Sequence, residues 1–95
     1  MQVNYTTDAF ASLVQLINFI ESKNTIGAGL RWLERYELFL HKSLFNPSLV
    51  KICHNQTFKK LKLHCLNYKD WTIAFSIHEK YVLIEAMLHK SRITD

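Results

Sequence analysis

Near Phe58 the spacing of apolar residues changes from three or four to two, and that change divides the chain. Upstream the apolar side chains recur at helical intervals. Downstream they alternate, as the side chains of a half-buried strand do. At 95 residues the chain supports one hydrophobic core and not two. Helices and sheet must therefore share that core, which makes residues 1–95 a single α+β domain.

The elements follow from the same spacing. Residues 2–6 alternate, with Val3 and Tyr5 on one side and Gln2 and Asn4 on the other, and read as a short strand. Thr7 or Asp8 offers an N-cap for a helix carrying Phe10, Leu13, Ile17 and Ile20, widened by Val14 and Leu16. Lys23 and Asn24 close it. A second helix spans about residues 26–44, with Leu30, Leu33, Tyr36, Leu40 and Leu44 in one stripe flanked by Trp32 and Phe39. Asn46-Pro47 ends it, because proline disfavours a helical residue before it and lacks an N–H. The two-residue gap at Asn24-Thr25 implies an antiparallel helical hairpin, with Gly27 and Gly29 allowing close approach.

Three alternating runs follow. Leu61, Leu63 and Cys65 alternate with Lys60, Lys62 and His64. Trp71, Ile73, Phe75 and Ile77 alternate with Thr72, Ala74, Ser76 and His78. Val82, Ile84, Ala86 and Leu88 alternate with Tyr81, Leu83, Glu85, Met87 and His89. Short connections at residues 67–70 and 79–80 make these an antiparallel meander. The expected architecture is β-α-α-β-β-β, with the helical hairpin packed on one face of an antiparallel sheet.

Composition excludes disorder and low complexity: 48% of residues are hydrophobic, 21% charged, and there are only 2 Gly and 1 Pro. The net charge is +4, and its distribution is uneven. Residues 1–50 balance four basic against four acidic side chains, whereas residues 51–95 carry eight basic and four acidic, with four of the five His. A basic half favours an anionic partner. The first apolar stretch is interrupted by Ser12, Gln15 and Asn18, and no basic region precedes it, so neither a signal peptide nor a membrane span is expected. The cytoplasm is the expected compartment. Two cysteines, Cys53 and Cys65, are then expected as thiols, with Cys65 a small core residue.

Alternation assigns each side chain a face. The core face is expected to hold Leu61, Leu63, Cys65, Trp71, Ile73, Phe75, Ile77, Val82, Ile84, Ala86 and Leu88. The other is expected to gather Lys60, Lys62, His64, Thr72, Ser76, His78, Tyr81, Glu85 and His89, a basic and titratable surface. Antiparallel sheets often leave one face wet. Here the lysine row, three His and one Glu are more chemically specific than solvation requires.

These residues carry a resemblance. The opening Val3-Asn4-Tyr5-Thr6-Thr7-Asp8-Ala9-Phe10, the element order, Trp71-Thr72-Ile73-Ala74-Phe75, Val82-Leu83-Ile84 and the tail Leu88-His89-Lys90-Ser91-Arg92 resemble the ParE/RelE superfamily of bacterial toxins across nearly the whole chain. The resemblance implies the toxin of a type II toxin–antitoxin, or plasmid stabilisation, module, held silent by a cognate antitoxin. It leaves the target open. ParE-like members poison DNA gyrase, while RelE-like members cleave mRNA on the ribosome, and fold alone does not choose.

Metal-free RNA cleavage needs a base for the 2′-hydroxyl, cations on the phosphate and an acid for the leaving oxygen. As a nuclease, the chain would place Lys60, Lys62 and Arg92 on phosphate, His64 or Glu85 as base, and His89 as acid. RelE-like sites concentrate several Arg and Lys plus a C-terminal aromatic or His, however, and here Arg92 is the only Arg after Arg35 and no Tyr or Phe follows Tyr81. The tail looks more like the ParE-like branch, in which Lys60, Lys62, His89, Lys90 and Arg92 would contact the target and no bond would break. A third reading is a non-toxic binding module or corepressor acting with its antitoxin.

Cys53-His54 and His64-Cys65 fit no standard zinc spacing, and neighbours on a strand point to opposite faces. No Gly-rich phosphate loop, nucleophile elbow or zinc-binding helix motif is present, so neither a metal nor a cofactor is expected.

Overall fold

The computed structural model describes residues 2–92, with the side chain of Arg92 outside that description. In chain order it contains β1 (Gln2–Tyr5), α1 (Thr7–Lys23), α2 (Ala28–Ser43), a 3-10 turn (Pro47–Leu49), α3 (Gln56–Lys60), β2 (His64–Tyr68), β3 (Trp71–Ile77), β4 (Tyr81–His89) and a second 3-10 turn (Lys90–Arg92). Among the described residues no helix is long and apolar enough to cross a membrane.

Each helix begins where its first amides find an acceptor. The cap of α1 is Thr6, one residue earlier than expected: its Oγ1 accepts from Ala9 N–H at 3.1 Å. For α2 the acceptor comes from the preceding helix. Glu21 Oε2 and Oε1 accept from Gly27 N–H and Gly29 N–H, both at 2.8 Å. Gly27 has φ of 87°, a conformation glycine adopts without penalty. At Gly29 an added Cβ would stand 2.9 Å from the Ile17 carbonyl oxygen, so glycine is what lets the two helices close.

The sheet order is β1-β4-β3-β2. β2–β3 and β3–β4 are antiparallel, as the meander requires, but β1 pairs with β4 in parallel. The sheet is therefore mixed rather than antiparallel, because the first strand joins the edge of the last one after the helical crossover. Ala9, Leu13 and Leu16 from α1 and Trp32, Tyr36, Leu40 and Leu44 from α2 pack on Ile73, Phe75, Val82, Ile84 and Met87. Leu30 and Phe10, expected in the helical stripes, are mostly exposed, since the stripe on α2 is centred on Trp32 and Tyr36.

Three parts of the face assignment fail. First, residues 58–63 are not a strand. Asn55 Oδ1 accepts from Phe58 N–H at 3.1 Å and starts α3, and Lys62 sits in the left-handed region with φ of 58°. Lys60 thus ends a helix, Lys62 makes a turn, and Leu61 is 63% exposed instead of core. Second, the parity changes within the sheet. Ala74 pairs with Ala86 but Phe75 pairs with Ile84, which leaves Glu85 as an extra residue in β4. This β-bulge moves Met87 into the core in place of Ala86 and Leu88. His89 consequently stands on the helix-bearing face, beside Trp71.

In β2 the expected parity is inverted. His64 pairs with Phe75 and stacks on its ring at 5.4 Å, on the helix side. Cys65 pairs with Ala74 on the opposite face. There Cys53, Leu63 and Ala74 are buried with Phe58, Cys65 and Ala86 around them. This second face is not a wet basic surface at that end; residues 51–63 cover it. Cys53 and Cys65 form a disulfide rather than two thiols, with Cα atoms 4.9 Å apart. The backbone brings them together, because Cys53 N–H donates to Leu63 O at 2.9 Å and Cys65 N–H to Lys51 O at 3.1 Å.

Candidate functional site at the end of the last strand

On α1, Ser12, Gln15, Leu16 and Phe19 follow one another at helical intervals, so they line one flank of the helix. That flank overhangs the ends of β3 and β4. Between them lies a groove of about 480 Å³, walled by these four residues, Trp71 and His89, with Met87 beneath. Phe19 is 60% exposed at its lip.

His89 is held in one orientation. Ser91 N–H donates to Nδ1 at 3.2 Å, and the Ser91 hydroxyl lies 2.9 Å from the same nitrogen. An N–H can only donate, so Nδ1 is unprotonated and Nε2 carries the hydrogen. The Trp71 ring meets the imidazole edge-on, with centroids 5.4 Å apart. The tail then turns: Lys90 N–H donates to Asp70 O at 2.8 Å, and Lys90 Nζ pairs with Asp70 Oδ1 at 3.3 Å in the open. The result is an aromatic-walled slot with a fixed imidazole N–H donor, hydroxyls and one amide at its rim. This chemistry suits an apolar side chain flanked by hydrogen-bonding groups.

The candidate residues for nucleic-acid cleavage are dispersed. Lys60 and Lys62 are exposed on the segment that covers the second face. His64 donates Nδ1–H to Val50 O at 2.6 Å, because a carbonyl oxygen can only accept. His64 and His89 lie opposite Phe75 and Trp71, four residues apart on β3. That separation alone is roughly 14 Å. Glu85 occupies the bulge, where its carbonyl accepts from Thr6 Oγ1 at 3.3 Å. Of the target-contact candidates, His89 lines the groove, while Lys90 follows it in the chain with its ammonium on Asp70, and the Arg92 backbone lies in the same 3-10 turn as Lys90.

Alternation alone does not find the groove. Its outer wall is the flank of α1 beside the core stripe, and Trp71, assigned to the core by parity, serves both. Among the described residues no three His, Cys, Asp or Glu side chains are grouped around one point, and both cysteines are tied to each other.

A helical hairpin packs on one face of a four-stranded mixed sheet, with a groove beside the terminal strand, and the architecture is α+β. Comparison with known proteins gives the same class. The structure is similar to a chain from the "Chromosomal ParDE TA system from P. aeruginosa", with a TM-score of 0.72 over 94% of this chain and 95% of that one, at 11% sequence identity. No family model and no curated protein sequence matches the chain. The likeness is one of fold from end to end.

Proposed function

We propose that this chain is the toxin of a type II toxin–antitoxin module, acts in the ParE-like manner by inhibiting DNA gyrase, and is neutralised by a cognate antitoxin. The observation that carries the reading is the end-to-end likeness in fold to a chain of a ParDE system. The site is consistent with it. His89 lines an apolar slot at the end of β4 and Lys90 is the next residue in the chain, where the two can hold a protein surface without bond cleavage. On this reading His89, Lys90 and Arg92 make the primary contact. Lys60 and Lys62, on the far side of the sheet, contribute long-range attraction for an acidic partner. An acidic, amphipathic antitoxin segment would complement both the basic charge and the apolar slot.

The dispersal of Lys60, Lys62, His64, Glu85 and His89 weighs against ribosome-dependent mRNA cleavage, since acid and base must flank one phosphate. The deciding experiment adds purified protein to gyrase, ATP and relaxed plasmid. Lost supercoiling or trapped cleavage complexes support the reading. Intact supercoiling together with cut messages on programmed ribosomes overturns it in favour of the nuclease. Healthy growth on expression without an antitoxin overturns toxicity itself and leaves a corepressor.

A further inference from the structure

Residues 51–63 form a flap over the second face of the sheet. The flap is fixed at its base by a short antiparallel ladder, in which Ile52 bridges His64 between the two backbone bonds that join Cys53 to Leu63 and Cys65 to Lys51. From there the chain makes α3 and returns, with Leu63 N–H donating to Phe58 O at 3.0 Å. α3 is only five residues long and contributes no buried residue, so it has no stability of its own. Beneath the flap lie Cys53, Leu63 and Ala74, with Phe58, Cys65 and Ala86 against them. Two of these are the halves of the disulfide and two are alanines. Once the disulfide is discounted, Leu63 and Phe58 are the large apolar anchors that remain.

The main core shares no buried residue with this cluster, because the sheet stands between them. Opening the flap therefore leaves the helical hairpin and its sheet face packed. The flap also carries Lys59, Lys60 and Lys62, all exposed.

We propose that Cys53–Cys65 is a thiol–disulfide switch that fastens and releases this lysine-bearing flap. The reductant is a dithiol. One of its thiolates attacks the sulfur of Cys65, the partly exposed half, and forms a mixed disulfide while the Cys53 sulfur leaves and takes up a proton. The second thiol of the reductant then displaces Cys65 as a thiol. Two electrons and two protons pass to the chain, and the dithiol becomes a disulfide. The closed loop, with its ends 12 positions apart, gains conformational freedom. The three ammonium groups lose their fixed placement. The same two exchanges, run backwards with the disulfide form of the dithiol as oxidant, restore it. The switch goes beyond the proposed toxin function, and it stands whether or not gyrase is the target.

Hydrogen exchange read by mass spectrometry tests it on the full chain, oxidised and then reduced with dithiothreitol. The expected result is exchange about a hundredfold faster for the amides of Cys53, Lys59, Leu63 and Cys65 on reduction, with β3 and β4 unchanged. The double variant Cys53→Ser/Cys65→Ser should show the fast exchange without reductant. The proposal is overturned if the reduced flap keeps its protection. It is equally overturned if β3 and β4 lose theirs along with the flap, since the bond would then be a staple for the whole fold.

Discussion

Tyr36 places a hydroxyl in the middle of the core, 3.1 Å from the Tyr5 hydroxyl and 3.7 Å from Met87 Sδ. Burial pushes its ionisation far above the ordinary tyrosine range, and Tyr5 is raised for the same reason. A folded-state value raised above the unfolded one leaves stability intact below about pH 10 and erodes it as the unfolded chain begins to ionise. Alkaline unfolding should therefore set in above about pH 10, with a shallower pH slope in Tyr36→Phe, measurable by thermal melts across that range. The same variant should lose about 1 kcal/mol at neutral pH, because the Tyr5 hydroxyl keeps no protein partner there. Glu21 has the opposite sign. Its bonds to Gly27 and Gly29 N–H hold the carboxyl below the ordinary glutamate range, so its contribution is present at neutral pH and disappears as pH falls through that lowered value. Melting temperature measured from about pH 6 to about pH 3 should fall more steeply for the native chain than for Glu21→Gln. Equal slopes would mean that the helix start is held by something else.

At the scale of elements, what could be read from the sequence depended on whether one parity was apolar and the other polar. β1 and β3 meet that condition, and α1 and α2 are legible instead from their apolar stripes at helical spacing. In β4, Val82, Leu83, Ile84, Ala86, Met87 and Leu88 are apolar on both parities, so one extra residue at Glu85 leaves no trace in the pattern. Alternation therefore puts His89 on the wrong face and gives no sign of the groove. Residues 58–65 misled in the other way: Lys60, Lys62 and His64 alternate with Leu61, Leu63 and Cys65, yet Asn55 caps a helix there. The cap was legible, as Asn three residues before Phe58, and the period-two rhythm outweighed it. The disulfide was not legible, because a compartment argument says nothing about a ladder that juxtaposes two cysteines. The bulge leads to its own prediction. Deleting Glu85 places Ala86 directly after Ile84 and keeps every facing residue, including Met87, where it is. The deletion should cost about 1 kcal/mol, the order of the lost Thr6 hydrogen bond. Phe75→Ala, at a fully buried position, should cost about 3–5 kcal/mol. Denaturant midpoints that rank these two the other way would show the bulge to be structural.

Across the whole molecule, the sheet separates what stabilises the chain from what can touch a partner only in part. Trp71 packs against the main core and also walls the groove, so Trp71→Ala should damage both stability and binding. His89 and Lys90 sit outside the buried core, and the Lys90–Asp70 pair is an exposed one that contributes little. His89→Ala and Lys90→Ala should therefore shift stability by no more than about 0.5 kcal/mol. On the proposed reading the pair together should weaken gyrase inhibition by at least roughly tenfold, a loss of about 1.4 kcal/mol in binding. Lys60→Ala and Lys62→Ala act from the other side of the sheet. Their effect should appear as a weaker salt dependence of association, with the half-life of the complex nearly unchanged, because distant charges act on encounter more than on dissociation. If the Lys60 and Lys62 variants instead shorten the complex lifetime and the tail variants leave it unchanged, the target sits on the flap side of the sheet and the groove beside His89 serves another purpose.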